Sequence, residues 1–138
     1  MEGIQGAVLG VKLKYLEDWT KKRRHAAKKY CELLKDVNQI KLPEEISYAN
    51  HVYHLFVIQT KDRDKLQKFL NGNEVSTGLH YPIPLHLQKC FEHLGYKKGD
   101  FPVTEKLAEE CLSLPMFPDL SDEQIEFACD RIKIFFKQ

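Results

Sequence analysis

Residues 3 to about 36 contain no proline and are rich in Ala, Leu, Lys and Glu, a composition that favours one long helix. At the 100° that each helical residue turns, Ile4, Ala7, Val8, Val11, Tyr15 and Trp19 fall on one stripe. Leu9, Leu13 and Leu16 fall on a second, nearly opposite. A surface helix has one apolar stripe, so two imply burial from two directions. Either this helix is central to a small bundle, or a partner or another portion of polypeptide covers the second stripe. The helix start lacks the Ser, Thr, Asp or Asn cap that its first donors usually find. Gly6 and Gly10, four apart, would let another backbone approach closely.

A chain of 138 residues fits one domain. With 43% apolar and 30% charged residues it can build a packed core, which excludes a disordered chain. A net charge of +1 gives no global field toward nucleic acid or an anionic membrane. Lys21, Lys22, Arg23 and Arg24 are consecutive, so on a helix they splay around the axis. They read as a solvated stretch balanced by Glu17, Asp18 and Glu32. No apolar run approaches the roughly 18 residues of a spanning helix, and Glu2 stands where a secretory signal carries positive charge. A cytoplasmic chain is expected. Cys31, Cys90, Cys111 and Cys129 form no C-x-x-C, so neither a zinc knuckle nor a disulfide framework is indicated.

Beyond the first helix, Leu42-Pro43-Glu44-Glu45 reads as a connector, and His51 to Thr60 as an interior strand with His51 and His54 on opposite faces. Asp62 or Asp64 is a candidate cap for a short helix through Leu70, and Val75 to His80 is a second strand. Tyr81-Pro82-Ile83-Pro84 forces an extended stretch. Leu85 to Leu94 reads as a short helix ending at Gly95; another opens near Thr104, with Glu105 just inside it. Leu112 to Leu114 is a third strand. Ser121-Asp122-Glu123-Gln124 is a capping box for a last helix whose apolar face is Ile125, Ala128, Cys129, Ile132 and Phe136. The expected architecture is α+β: a long N-terminal helix beside a small, mostly antiparallel sheet backed by helices.

The six histidines have no carboxylate or cysteine at ligand spacing, so no metal site is expected. There is no G-x-S-x-G nucleophile elbow and no glycine-rich phosphate loop. The stretch His80-Tyr81-Pro82-Ile83-Pro84-Leu85-His86 is the most functional in character. It sets two imidazoles and a phenol, able to hydrogen-bond hydroxyls or phosphate, on a stiffened loop. The bland alternative is that Tyr81 and the prolines plug the edge of the core.

Met1-Glu2-Gly3-Ile4-Gln5-Gly6-Ala7-Val8-Leu9, HVYHLFVI, TGLHYPIPLHLQ, GDFPVTEKLAEE and LSLPMFPDLSDEQI follow one another in this order. Together they resemble the C-terminal part of the DegT/DnrJ/EryC1/StrS aminotransferases, pyridoxal-phosphate enzymes that aminate keto groups on nucleotide-linked sugars. The resemblance implies the small C-terminal domain of a type I aminotransferase fold, with residues 1–36 as connecting helix and 37–138 as the α+β domain. The family's large cofactor domain, with its Schiff-base lysine, corresponds to sequence upstream of Met1. By the same resemblance this chain alone holds no catalytic or cofactor residue and is inactive, with pyridoxal phosphate belonging to the parent enzyme. His80 and Tyr81, with His86 nearby, would approach the nucleotide-sugar of a neighbouring subunit in a dimer, and Pro82 and Pro84 would hold the loop's shape. The large domain, or a second subunit, would cover the second stripe. Glu74 departs from the family's usual glycine and bears on the turn into Thr77. Two functions follow: a portion of a sugar aminotransferase, or a standalone module that self-associates or docks on a full-length homologue through its first helix.

Overall fold

A computed structural model describes residues 2–137. The order of elements is α1 (Gly3–Leu13), α2 (Leu16–Leu34), β1 (Phe56–Gln59), α3 (Arg63–Gly72), α4 (Pro102–Glu110), β2 (Cys111–Leu114) and α5 (Asp122–Lys137). The single helix expected over residues 3 to 36 is therefore two. At the junction the Tyr15 N–H donates to the Lys12 carbonyl at 3.0 Å, a bond three residues back that tightens the turn and interrupts the regular ladder. Tyr15 stacks on Trp19 just beyond the break. At the helix start the Gln5 side chain accepts the Glu2 N–H at 3.2 Å and serves where a conventional cap is missing.

No residue of α1 is buried. Ile4 on one stripe is 80% exposed and Leu13 on the other 67%, and the space beside Gly10 is open. The bundle-centre alternative therefore fails among the described residues. Burial begins only in the second half of α2, where Ala26, Ala27, Tyr30 and Leu34 pack against α5 through Ile125, Ala128, Cys129 and Ile132. Ser121 and Gln124 make the expected reciprocal cap of α5. The Ser121 N–H donates to Gln124 Oε1 at 2.9 Å, and the Gln124 N–H to Ser121 Oγ at 3.3 Å.

Arg23 and Arg24 correct the reading of the basic stretch as simply solvated. Arg23 donates to the carbonyls of Tyr53, His54 and Met116 at 3.3, 3.2 and 3.1 Å. Arg24 pairs with Glu45 at 2.8 Å and donates to the His51 carbonyl at 2.6 Å. These bonds explain why the strand expected from His51 shrinks to Phe56–Gln59. Its first carbonyls are taken by guanidinium groups from α2, and Tyr53 turns to a left-handed φ of 48°. Neither His51 nor His54 then lies in a strand; His51 Nδ1 instead accepts the Tyr53 N–H at 2.8 Å.

β1 and β2 pair antiparallel in the register Phe56–Leu114, Val57–Ser113, Ile58–Leu112 and Gln59–Cys111. Single bridges extend the ladder on either side, Lys41 to Gln59 and Gly78 to Ser113. The second strand expected over Val75 to His80 is reduced to that one bridge. Residues of β2 are buried throughout, with α3 against the sheet and α5 against α3. Phe56 stacks on Tyr30 at 4.9 Å, and the Tyr30 hydroxyl donates to the Pro115 carbonyl at 3.1 Å. Burial holds that phenol's pKa well above its ordinary value. The observed architecture is α+β, as expected. No helix among the described residues is long and apolar enough to cross a membrane.

Candidate functional site

α3 runs to Gly72, within the stop expected at Asn71-Gly72, and its end launches the loop that carries His80. The Val75 N–H donates to the Leu70 carbonyl at 3.0 Å, and Asn71 Oδ1 accepts both the N–H and the hydroxyl of Thr77 at 3.2 and 3.1 Å. Between these anchors Glu74 sits at a φ of 62°, a conformation that favours glycine. Gly78 and Ser113 then exchange backbone hydrogen bonds at 3.0 and 2.8 Å, fixing the loop to the free edge of β2.

His80 folds back over that bridge. Its Nδ1 lies 2.9 Å from the Ser113 hydroxyl. Ser113 is only 4% exposed, so this imidazole is what satisfies a buried hydroxyl. A Cβ on Gly78 would meet the His80 ring at 2.7 Å, which explains glycine at that position. Tyr81 follows across a cis peptide bond, its ring edge-on to His80 at 5.5 Å and 73% exposed. The helix expected over Leu85 to Leu94 is instead two 3₁₀ segments, Leu85–Leu87 and Lys89–Leu94, ended by Gly95 at a φ of 76°.

His86 takes a different direction from His80 and Tyr81. Its side chain is 8% exposed, and Nε2 lies 3.0 Å from Glu105 Oε1. The ring also packs edge-on against Phe101 at 4.8 Å. Glu105 further accepts the Gly99 N–H at 2.8 and 2.9 Å and the Phe101 N–H at 3.3 Å. Burial pushes the Glu105 carboxyl up, but the Gly99 N–H, the His86 ring and the Phe101 N–H outweigh it, and the pKa is lowered. Glu105 thus ties the 97–101 turn to the end of the loop. α4 itself begins with Pro102 directly after Phe101, rather than at Thr104.

His80 and Tyr81 border a cleft of about 360 Å³ whose walls include Val57, Ile83, Leu107 and Ala108. His86 is not among its lining residues. Imidazole and phenol at the rim of an apolar floor can hydrogen-bond an oxygen-rich ligand while the floor takes its carbon face. A larger depression of about 860 Å³ is lined by Lys41, Lys61 and Lys106 with Asp62 and Glu110, and no residue of the His80–His86 loop borders it. The smaller cleft is the candidate site because two orientable hydrogen-bonding rings converge there. Among the described residues no group of three or more His, Cys, Asp or Glu is placed to hold a metal ion.

Sequence reasoning reached His80 and Tyr81 but missed Gly78 and Ser113, and it read Glu105 only as part of a helix start. A serine between two leucines in a buried strand was the available signal, since a buried hydroxyl requires a partner.

The chain belongs to the DegT/DnrJ/EryC1/StrS aminotransferase family, whose model matches residues 1–133. It is 44% identical over 133 residues to the erythromycin biosynthesis sensory transduction protein EryC1 of Saccharopolyspora erythraea, covering 96% of this chain and 36% of that protein. It is 37% identical to the dTDP-3-amino-3,6-dideoxy-alpha-D-galactopyranose transaminase of Aneurinibacillus thermoaerophilus, covering 91% of this chain and 34% of that enzyme. The crystal structure of S. venezuelae DesV in complex with a ketimine intermediate superposes with a TM-score of 0.94 at 31% identity, over 97% of this chain and 36% of DesV. The chain thus spans about a third of the length of the relatives it matches. The family's enzymes depend on pyridoxal phosphate. The cleft beside His80 does not fit that group as a resident: no lysine lines it to bond the aldehyde, and no carboxylate lines it to face the pyridine nitrogen.

Proposed function

We propose that this chain is the sugar-contacting portion of a nucleotide-sugar aminotransferase, acting with a cofactor-bearing portion of polypeptide that docks on α1. The observation that carries the reading is the placement of His80 and Tyr81 together at the rim of one apolar cleft. His80 and Tyr81 hydrogen-bond hydroxyl or phosphate oxygens of the nucleotide-sugar, and the floor of the cleft excludes water from its carbon face. Pro82 and Pro84 limit the loop's freedom, so less order is lost on binding. His86 acts from behind the loop, through Glu105. The amino-group chemistry belongs to the cofactor and its lysine, which the docked portion supplies.

The exposure of both stripes of α1 supports docking there, because Leu9 and Leu13 find no cover among the described residues. The test mixes the chain with the part of a family relative that precedes the matched region. Hydrogen exchange along α1 should slow on mixing. Binding of a dTDP- or UDP-linked keto-sugar to the mixture should weaken roughly three- to tenfold with His80→Ala or Tyr81→Phe. Unchanged affinity in both variants would overturn the site, and unchanged exchange along α1 would overturn the docking.

A further inference from the structure

The His80 imidazole is held by two residues outside its own loop apex. Ser113 presents a buried hydroxyl 2.9 Å from Nδ1, and the missing side chain of Gly78 makes room for the ring. The same two residues exchange both backbone hydrogen bonds, so the hydroxyl and the vacant Cβ position are registered to one another by the sheet. Rotating the ring away would leave the Ser113 hydroxyl unpaired in a 4% exposed position. Among the described residues Nε2 has no hydrogen-bond partner, and the ring borders the cleft.

We propose that Gly78 and Ser113 are positioning residues for substrate binding, together fixing the His80 imidazole so that Nε2 is the edge offered to a sugar hydroxyl or phosphate oxygen. The inference rests on the reading of the cleft as the sugar site. Neither residue touches the ligand; each acts only through the orientation of the ring. Position 78 has an ordinary backbone conformation and the three atoms nearest an added Cβ all belong to the His80 ring, so alanine there displaces the ring while leaving the strand bridge intact.

The experiment is a double-mutant cycle on the chain mixed with the cofactor-bearing portion of a relative, using a dTDP- and a UDP-linked keto-sugar as probes. Long-range proton–nitrogen NMR of the chain alone reads the hydrogen bond at His80 Nδ1. Wild type should show an Nδ1 shift displaced from that of a solvent-exposed imidazole, and Ser113→Ala and Gly78→Ala should each bring it back toward that value. Both variants should weaken sugar binding roughly three- to tenfold. In a His80→Ala background, adding Gly78→Ala should cost nothing further, because the ring it displaces is gone. If His80→Ala weakens binding while Gly78→Ala and Ser113→Ala do not, the positioning role is overturned and the site stands. An equal loss from Gly78→Ala with or without His80 would also overturn it, since the residue would then act on the strand. If His80→Ala itself binds as wild type, the sugar site fails, and the proposal fails with it. Ser113→Ala keeps the test decisive should Gly78→Ala fold poorly.

Discussion

His86 Nε2 lies 3.0 Å from Glu105 Oε1, across 19 residues of sequence, with both side chains about nine-tenths buried. The carboxylate also gathers two backbone N–H groups from the turn before α4, so one side chain joins the His80–His86 loop, that turn and a helix.

Glu105→Ala should therefore destabilise the chain more than Glu109→Ala, since it leaves the Gly99 and Phe101 N–H groups and the buried His86 ring without their acceptor. The pH dependence has a definite sign. The folded-state pKa of Glu105 is lowered, so its contribution is fully present above the ordinary carboxylate value and is lost as pH falls through the lowered one. Thermal melts in the acid range should show a shallower loss of stability for Glu105→Gln than for wild type. Parallel acid limbs would count against a lowered Glu105 carboxyl.

Leu9→Asp and Leu13→Asp should leave the stability of the isolated chain within about 0.5 kcal/mol of wild type, because both side chains are exposed. Leu66→Ala or Ile132→Ala, at fully buried positions, should cost about 2–5 kcal/mol. Urea unfolding of the four variants separates these outcomes. A large loss from either aspartate would mean that α1 packs on the rest of the chain.

Thiol labelling of the native chain should be led by Cys90, the one exposed cysteine among the described residues. Burial pushes the Cys129 thiol up to about 12 and also raises Cys31, while Cys111 is buried in β2. Mass spectrometry after brief treatment with a maleimide should find a single adduct at Cys90. Cys111 and Cys129 should become reactive only on unfolding.

Glu74→Gly should stabilise the chain by up to about 1 kcal/mol, because glycine relieves the left-handed φ of 62° while also enlarging the unfolded ensemble. Differential scanning calorimetry against wild type reads the sign. A loss of stability would mean that the Glu74 side chain contributes more than its backbone conformation costs.

What the sequence made legible was local. The Ser121–Gln124 cap spans three residues and appears where expected, and the spacing of Ile125, Ala128, Cys129 and Ile132 matches the buried face of α5. The prolines likewise marked the loop of His80 and Tyr81. The break of the first helix at Tyr15 is local, but the errors around the site were imposed from a distance. The strand at His51 was shortened by Arg23 and Arg24 from a helix about thirty residues earlier. His86 was drawn inward by Glu105, and His80 was seated by Ser113, 33 residues away. No window of local periodicity contains such pairs. Glu74 was singled out by a departure from a family pattern, and the backbone conformation at that position gives the departure its physical meaning.

The turn at Lys14–Tyr15 divides the chain mechanically. On one side is a helix with no buried residue; on the other, a core closed by α2, α5 and the sheet. Reorienting α1 about that turn would leave every core contact unchanged, so a change of angle there would send no strain to Tyr30 or Phe56. Substitutions along the first helix can therefore change its surface and direction independently of the packing that keeps the rest of the chain folded.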